Sequence, residues 1–193
     1  MAWVDGSVLV YVPAGGFTMG SGATDAPQKS VSLDDYWIYK TEITNSMYAF
    51  CVSVGACAPP AQELGTPVYD NPVYANYPVV GVSWDMAANY CSWIGGSLPT
   101  EAQWEKAARG EAGRKFPWGG DWAGCEFAVM NDGGPGCGQE RSWPVCSKPS
   151  GNSPYGVCDM AGNVSEWVAD WYQDKYYRKS PKRNPPGPEK GQA

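Results

Sequence analysis

Near the end of this 193-residue chain two carboxylates frame a tight turn. Asp159 and Glu166 flank Ala161-Gly162-Asn163 within NSPYGVCDMAGNVSEWVADW, residues 152–171. Gly and Asn tolerate positive φ, so the turn can fold back and aim main-chain carbonyls inward. Two carboxylates with such carbonyls make an all-oxygen cage, the donor set of a hard cation such as calcium. The same side chains would also serve as acceptors for turn amides, and spacing alone leaves both roles open.

Other chemistry is narrowed by what the chain lacks. It has no histidine, which removes Cys-His dyads, Ser-His-Asp triads, zinc-protease helices and the facial iron triad. Its seven cysteines, at 51, 57, 91, 125, 137, 146 and 158, form no CxxC pair, against zinc ribbons and thioredoxin-like chemistry. Their spacing reads as loop staples: Cys51 with Cys57, and two more bridges among the four between 125 and 158. Cys91 lies in an apolar helical pattern and reads as a buried free thiol. Disulfides would place the protein outside the cytosol, periplasmic or secreted; the alternative is seven reduced structural thiols.

Glu101 and Glu105 stand four apart and resemble a carboxylate pair. Their helical context points elsewhere, with Glu101 serving the helix N-terminus and Glu105 pairing with Arg109. The glycine cluster NDGGPGCG, 131–138, lacks the spacing of a phosphate loop and reads as a disulfide-stapled loop. Asn163-Val164-Ser165 is formally a glycosylation sequon, discounted because it sits in a tight motif among core aromatics.

The elements that position these residues are short. Gly (24) and Pro (17) make up about a fifth of the chain, too much for long regular elements. Ten Trp and twelve Tyr would fill the irregular spaces. Residues 8–19 read as two strands broken at Pro13-Ala14-Gly15-Gly16, and 31–33 and 37–39 as two more around Asp34-Asp35, after a polar loop at 21–29. A helix capped by Thr44 carries Met47, Tyr48, Cys51 and Val54 on one face and stops at Gly55. After a proline-rich loop at 58–78, a strand at 79–82 leads into a helix capped by Ser83. That helix turns Ala87, Ala88, Cys91 and Ile94 inward and ends at Gly95-Gly96. A third helix has a Thr100/Gln103 capping box, an apolar stripe of Trp104, Ala107 and Ala108, and a stop at Gly110. Residues 111–154 show almost no periodicity. The length supports one domain, 1–193, ending in a basic, Pro-rich connecting loop at 176–193 that is exposed. The net charge of −6 argues against nucleic acid or an anionic membrane as partner. No apolar run approaches a membrane span. The N-terminus lacks a signal-peptide pattern, so either the protein is cytosolic or its leader lies outside this chain.

VPAGGFTMGS (12–21), KTEITNSMYAF (40–50), PVVGVSWDMAANYCSW (78–93), SLPTEAQWEKAARG (97–110), FPWG (116–119) and YGVCDMAGNVSEWVADWY (155–172) occur in one order over nearly the whole chain. Together they resemble the sulfatase-modifying-factor family, whose founding activity is the formylglycine-generating enzyme. The resemblance implies a C-type-lectin-like α+β fold, loop-rich, with short strands, about three short helices and structural calcium. In that family the calcium is held by side chains at the positions of Asp159 and Glu166 and by carbonyls matching Gly162 and Val164. A second calcium site of the family, near 125–145, is not carried over to the unfamiliar cysteines and glycines here.

The catalytic centre of the family is a copper-binding cysteine pair that oxidises a substrate cysteine to formylglycine. It follows an arginine-glycine-glycine-serine stretch, placed just after a tail like NPPGP. This chain stops at Ala193 before such a stretch, and none of its cysteines matches the pair, so no catalytic residue is assigned and copper is expected only if that pair exists downstream. Ser165 replaces a tryptophan common in the family's active-site region. Ser97 stands where arginine is usual, and Gln103 where glutamate is. Two functions follow. One is the front part of an oxidase acting on a cysteine-containing sulfatase peptide, inactive as this chain. The other is a non-catalytic, lectin-like extracellular module that binds a protein ligand.

Overall fold

Pro13 divides one β-ribbon into two ladders. The computed structural model describes residues 5–24, 26–61, 68–131, 133 and 137–191. In it, β1 (Leu9–Val12) pairs antiparallel with β4 (Tyr36–Tyr39), and β2 (Gly15–Met19) with β3 (Lys29–Leu33). Leu9 faces Tyr39 and Met19 faces Lys29, so one register runs through both ladders. Proline has no N–H to offer a ladder, and pairing stops there and resumes at Gly15. Lys106, with no solvent exposure, holds the break: its Nζ donates to Pro13 O at 2.6 Å and Gly15 O at 3.2 Å.

Strand alternation turns Phe17, Met19, Val31 and Leu33 into one cluster with Ala102. Each of the large side chains contributes roughly 1.5–3 kcal/mol by burial. Val12 joins Ala107, Ala108, Val157 and Met160 in a second cluster. The helix α3 (Glu101–Arg109) supplies alanines to both, and their small size lets it lie close to the ribbon. Its Thr100/Gln103 capping box forms as expected, with Thr100 N donating to Gln103 Oε1 at 2.9 Å and Gln103 N to Thr100 Oγ1 at 3.2 Å. Glu105 pairs with Arg109, also as expected. Glu101 stands in the first turn of α3, as expected. Asp170 Oδ2 accepts the Glu101 N–H at 2.7 Å, while the Tyr177 hydroxyl draws the Glu101 carboxylate towards the C-terminal segment at 2.6 Å.

A third cluster joins α1 (Asn45–Ser53) to α2 (Trp84–Trp93) through Tyr48, Cys51, Cys57, Tyr90 and Ile94. Tyr48 and Tyr90 stack at 5.6 Å. Thr44 and Ser83 cap these helices as expected, accepting from Met47 N and Met86 N. Val54 is not on the buried face; it is the C-cap of α1 and 53 % exposed. Within α2 itself the buried residue is Tyr90, whereas Ala87, Ala88 and Cys91 are only half-buried. The expected strand at 79–82 does not form. Pro78 makes a single bridge with Thr44, Val79 N donates to Ile43 O, and Gly81 takes a positive φ of 73°, which ends the extended run. Parts of the loops at 21–29, 58–78 and 131–138 lie outside the described residues, as do residues 1–4, 192 and 193 of the expected domain.

The segment after residue 175 is more than an exposed connection. It opens with a short helix, α4 (Tyr176–Lys179), and Tyr177 packs on the ribbon's apolar cluster. Arg183 bridges Ser32 in parallel, with Ser32 N donating to Lys182 O at 2.8 Å and Asn184 N to Ser32 O at 2.9 Å. Lys182 and Arg183 face solvent, but Pro185 and Gly187 are buried. The α+β, loop-rich architecture matches the expectation from the sequence. Among the described residues no helix is long and apolar enough to cross a membrane.

Candidate functional site

The acidic turn is held by contacts from three distant stretches. The Cys146–Cys158 disulfide brings residues 143–147 against it, and Cys146 N donates to Asp159 Oδ2 at 2.6 Å. Asn163 is the hub. Its Oδ1 accepts from Trp143 N at 2.8 Å, and its Nδ2 donates to Trp143 O at 3.2 Å and to Glu42 Oε1 at 2.9 Å. Those bonds occupy the side-chain amide, so the sequon is discounted on geometry as it was on context. Asp159 and Asn163 both take left-handed φ, 57° and 68°, which folds the intervening residues back. At Gly162 a Cβ would stand 2.3 Å from Val129 O, so the chain passes where only glycine fits.

Asp159, Gly162, Val164 and Glu166 all line one shallow groove, so the four residues expected to hold calcium are together. Trp104 Nε1 donates to Glu166 Oε2 at 3.1 Å. Glu42, on the far side of Asn163 and only 8 % exposed, was not legible as part of this site. It lies 121 positions from its partner, and an acidic residue in KTEITN carries no local signal of one.

Asp159 acts on both of the other carboxyls. Burial raises the Glu42 pKa most, with Asp159 and Glu166 adding to it and the Asn163 hydrogen bond opposing. Burial also raises Asp159, against the Cys146 N–H, which favours its charged form. Glu166 keeps solvent-accessible surface in the groove, yet enclosing protein pushes it up to about 7, opposed by Trp104 and helped by Asp159. Among the described residues no lysine or arginine forms an ion pair with any of the three. Nor do three His, Cys, Asp or Glu side chains converge tightly enough to hold an ion by themselves. An ion here would therefore lean on main-chain carbonyls as well as on Asp159 and Glu166. That is the donor set of calcium rather than of zinc.

The described cysteines offer no thiol pair of the kind that copper(I) needs. Cys51–Cys57, Cys125–Cys137 and Cys146–Cys158 are disulfides, in line with the expected staples. Cys91 alone is free, and burial pushes its thiol up to about 11. Three disulfides are what an oxidising compartment produces.

The sequence matches the model of the sulfatase-modifying factor enzyme 1-like domain over residues 4–191. The chain belongs to this family. It is 31% identical over 242 residues to the formylglycine-generating enzyme of Streptomyces coelicolor, across 95% of this chain and 75% of that protein. It is also 31% identical to the serine/threonine-protein kinase Pkn1 of Chlamydia trachomatis, across 89% of this chain but 29% of that protein. In structure it is similar to PvdO from Pseudomonas aeruginosa, with a TM-score of 0.77 at 28% identity over 97% of this chain and 80% of that one. The fold is that of the formylglycine-generating enzymes.

Proposed function

We propose that this chain is a calcium-braced recognition scaffold of the sulfatase-modifying-factor type, acting in the periplasm or outside the cell. The ion is held by Asp159, Glu166 and the carbonyls of Gly162 and Val164, and it supplies the positive charge that the Glu42-Asp159-Glu166 cluster lacks. Protein atoms set the rest. The Cys146 N–H and the Asn163 amide orient the carboxyls, and Trp104 steers Glu166 towards the groove.

The observation that carries a binding rather than an oxidising role is the state of the cysteines: six are bridged and the seventh is alone. The ligand in this reading is a protein or peptide. The span of 29% of a much longer kinase-named relative supports use of the domain as one part of larger proteins.

A second reading has its own support in the 31% identity to a formylglycine-generating enzyme across 95% of this chain. Here the complete protein oxidises a cysteine in a sulfatase peptide, with a copper-binding thiol pair supplied from outside these residues. One experiment separates the two. The calcium-loaded complete gene product is incubated with copper(I), oxygen and a cysteine peptide of sulfatase type, and the peptide is analysed by mass spectrometry. An unmodified but bound peptide supports the scaffold; an aldehyde product supports the oxidase and refutes the scaffold.

A further inference from the structure

Behind the acidic turn lies a cavity of about 370 Å³ enclosed by the ribbon, α2 and residues 157–167. That volume falls in the range of sites for single small organic molecules. Four tyrosines line it: Tyr36, Tyr39, Tyr48 and Tyr90. Each hydroxyl is already committed, Tyr36 to Gln103 O, Tyr48 to Ala58 O, and both Tyr39 and Tyr90 to Asp5 Oδ2. The tyrosines therefore offer the cavity ring carbons rather than polar groups, beside Ile38, Val79 and Ile94.

Against this apolar wall one polar atom stands out. Glu42 lines the cavity, is 8 % exposed, and its Oε2 has no hydrogen-bond partner among the described residues. Leaving a buried acceptor unpaired costs free energy that a bound hydrogen-bond donor returns. Cys91, the free thiol, lines the same space from α2. Met160, Val164, Ser165 and Glu166 line both this cavity and the groove of the acidic turn, so they form a wall between the two.

We propose that this cavity is a binding site for a small, neutral, largely apolar molecule that carries one hydrogen-bond donor and gives it to Glu42 Oε2. A cation would also find the tyrosine faces and the Glu42 carboxyl favourable, so choline displacing the neutral probe at equal affinity would overturn the proposal. An anion would meet the carboxyls of Glu42 and Glu166. The site is independent of whether the scaffold binds a peptide or serves an oxidase.

N-phenyl-1-naphthylamine is a suitable probe, being two apolar ring systems joined by a single N–H. Titrated into the full chain with calcium present and disulfides intact, it should gain fluorescence at one saturable site. Cys91 reports on that site, since it is the one thiol open to maleimide. At a probe concentration ten times its Kd, alkylation of Cys91 should slow about tenfold. 1-Phenylnaphthalene, which lacks the N–H, should bind about fivefold more weakly. Ala87→Phe, which fills the cavity from α2, should abolish the fluorescence gain while the protein stays folded by circular dichroism. Absence of saturable binding, unchanged Cys91 alkylation at saturation, equal affinity for the two probes, or full binding by a folded A87F protein would each overturn the proposal. If A87F fails to fold, the alkylation and paired-probe results on the unaltered chain decide the matter.

Discussion

Asn163 donates its side-chain amide to Glu42 across 121 positions of sequence, at 2.9 Å. That bond joins the segment entering α1 to the acidic turn, and it carries Glu42 into the field of Asp159 and Glu166. Three acids that have no cationic partner among the described residues are tolerated because protons, or a metal ion, offset their repulsion.

Glu42→Gln should stabilise the calcium-free protein. Gln keeps an acceptor for Asn163 and removes one of three competing charges. The expected gain is about 1 kcal/mol in urea unfolding with excess chelator. Asn163→Asp should do the opposite, adding a fourth acid and losing the donor, at a cost of about 1–3 kcal/mol.

The pH dependence has a definite sign. Glu166 has a folded pKa of about 7 against an ordinary 4.5, so the folded state holds its proton more tightly than the unfolded chain. A carboxyl raised in this way favours folding most below 4.5 and loses that advantage as pH climbs through 7. The raised Glu42 and Asp159 act in the same direction. Melting temperature in chelator should therefore fall from pH 5 towards pH 8, and saturating calcium should flatten the slope.

Much of the scaffold was legible in the sequence because its signals are local. Thr44, Ser83 and Thr100 announce helix starts by side-chain bonds only three residues long. Pro13 announces the ribbon's break by the donor it lacks. The Cys51–Cys57 staple closes over 6 positions and could be read from spacing, whereas the two 12-position bridges were expected among four cysteines with their pairing left open. What stayed hidden is long-range. Asp170 takes the N-terminus of α3 from 69 positions away, and Tyr177 reaches Glu101 from 76. Lys106 shows the same limit, since nothing in EAQWEKAAR marks its lysine for complete burial beneath a strand break. The four calcium positions came from the family resemblance, because two acids and a turn fit amide capping as well as an ion.

Breaking the Cys146–Cys158 bridge should disable the turn as well as loosen the chain. Cys158 precedes Asp159, and Cys146 supplies the N–H that fixes Asp159 Oδ2. The double variant C146S/C158S should lose about 2–4 kcal/mol, measured by denaturant unfolding. Its calcium response should shrink alongside. The Cys51–Cys57 bridge lies in the α1–α2 cluster, and its removal should destabilise without altering calcium affinity.

Gly162→Ala tests the closeness of the turn to its neighbour. The added methyl would meet Val129 O at 2.3 Å, and the backbone must move for it to fit. A loss of about 1–3 kcal/mol is expected, with weakened calcium binding because the Gly162 carbonyl moves too.

The most direct measurement is a calorimetric calcium titration of the chelator-treated, disulfide-intact chain at pH 7.5, repeated on Asp159→Asn and Glu166→Gln. One site per chain, lost or much weakened in both variants, with about 2.7 kcal/mol of added stability at a hundred times the Kd, is the predicted result. No heat and no change in melting temperature up to millimolar calcium, or binding untouched by both substitutions, would contradict the calcium-braced scaffold.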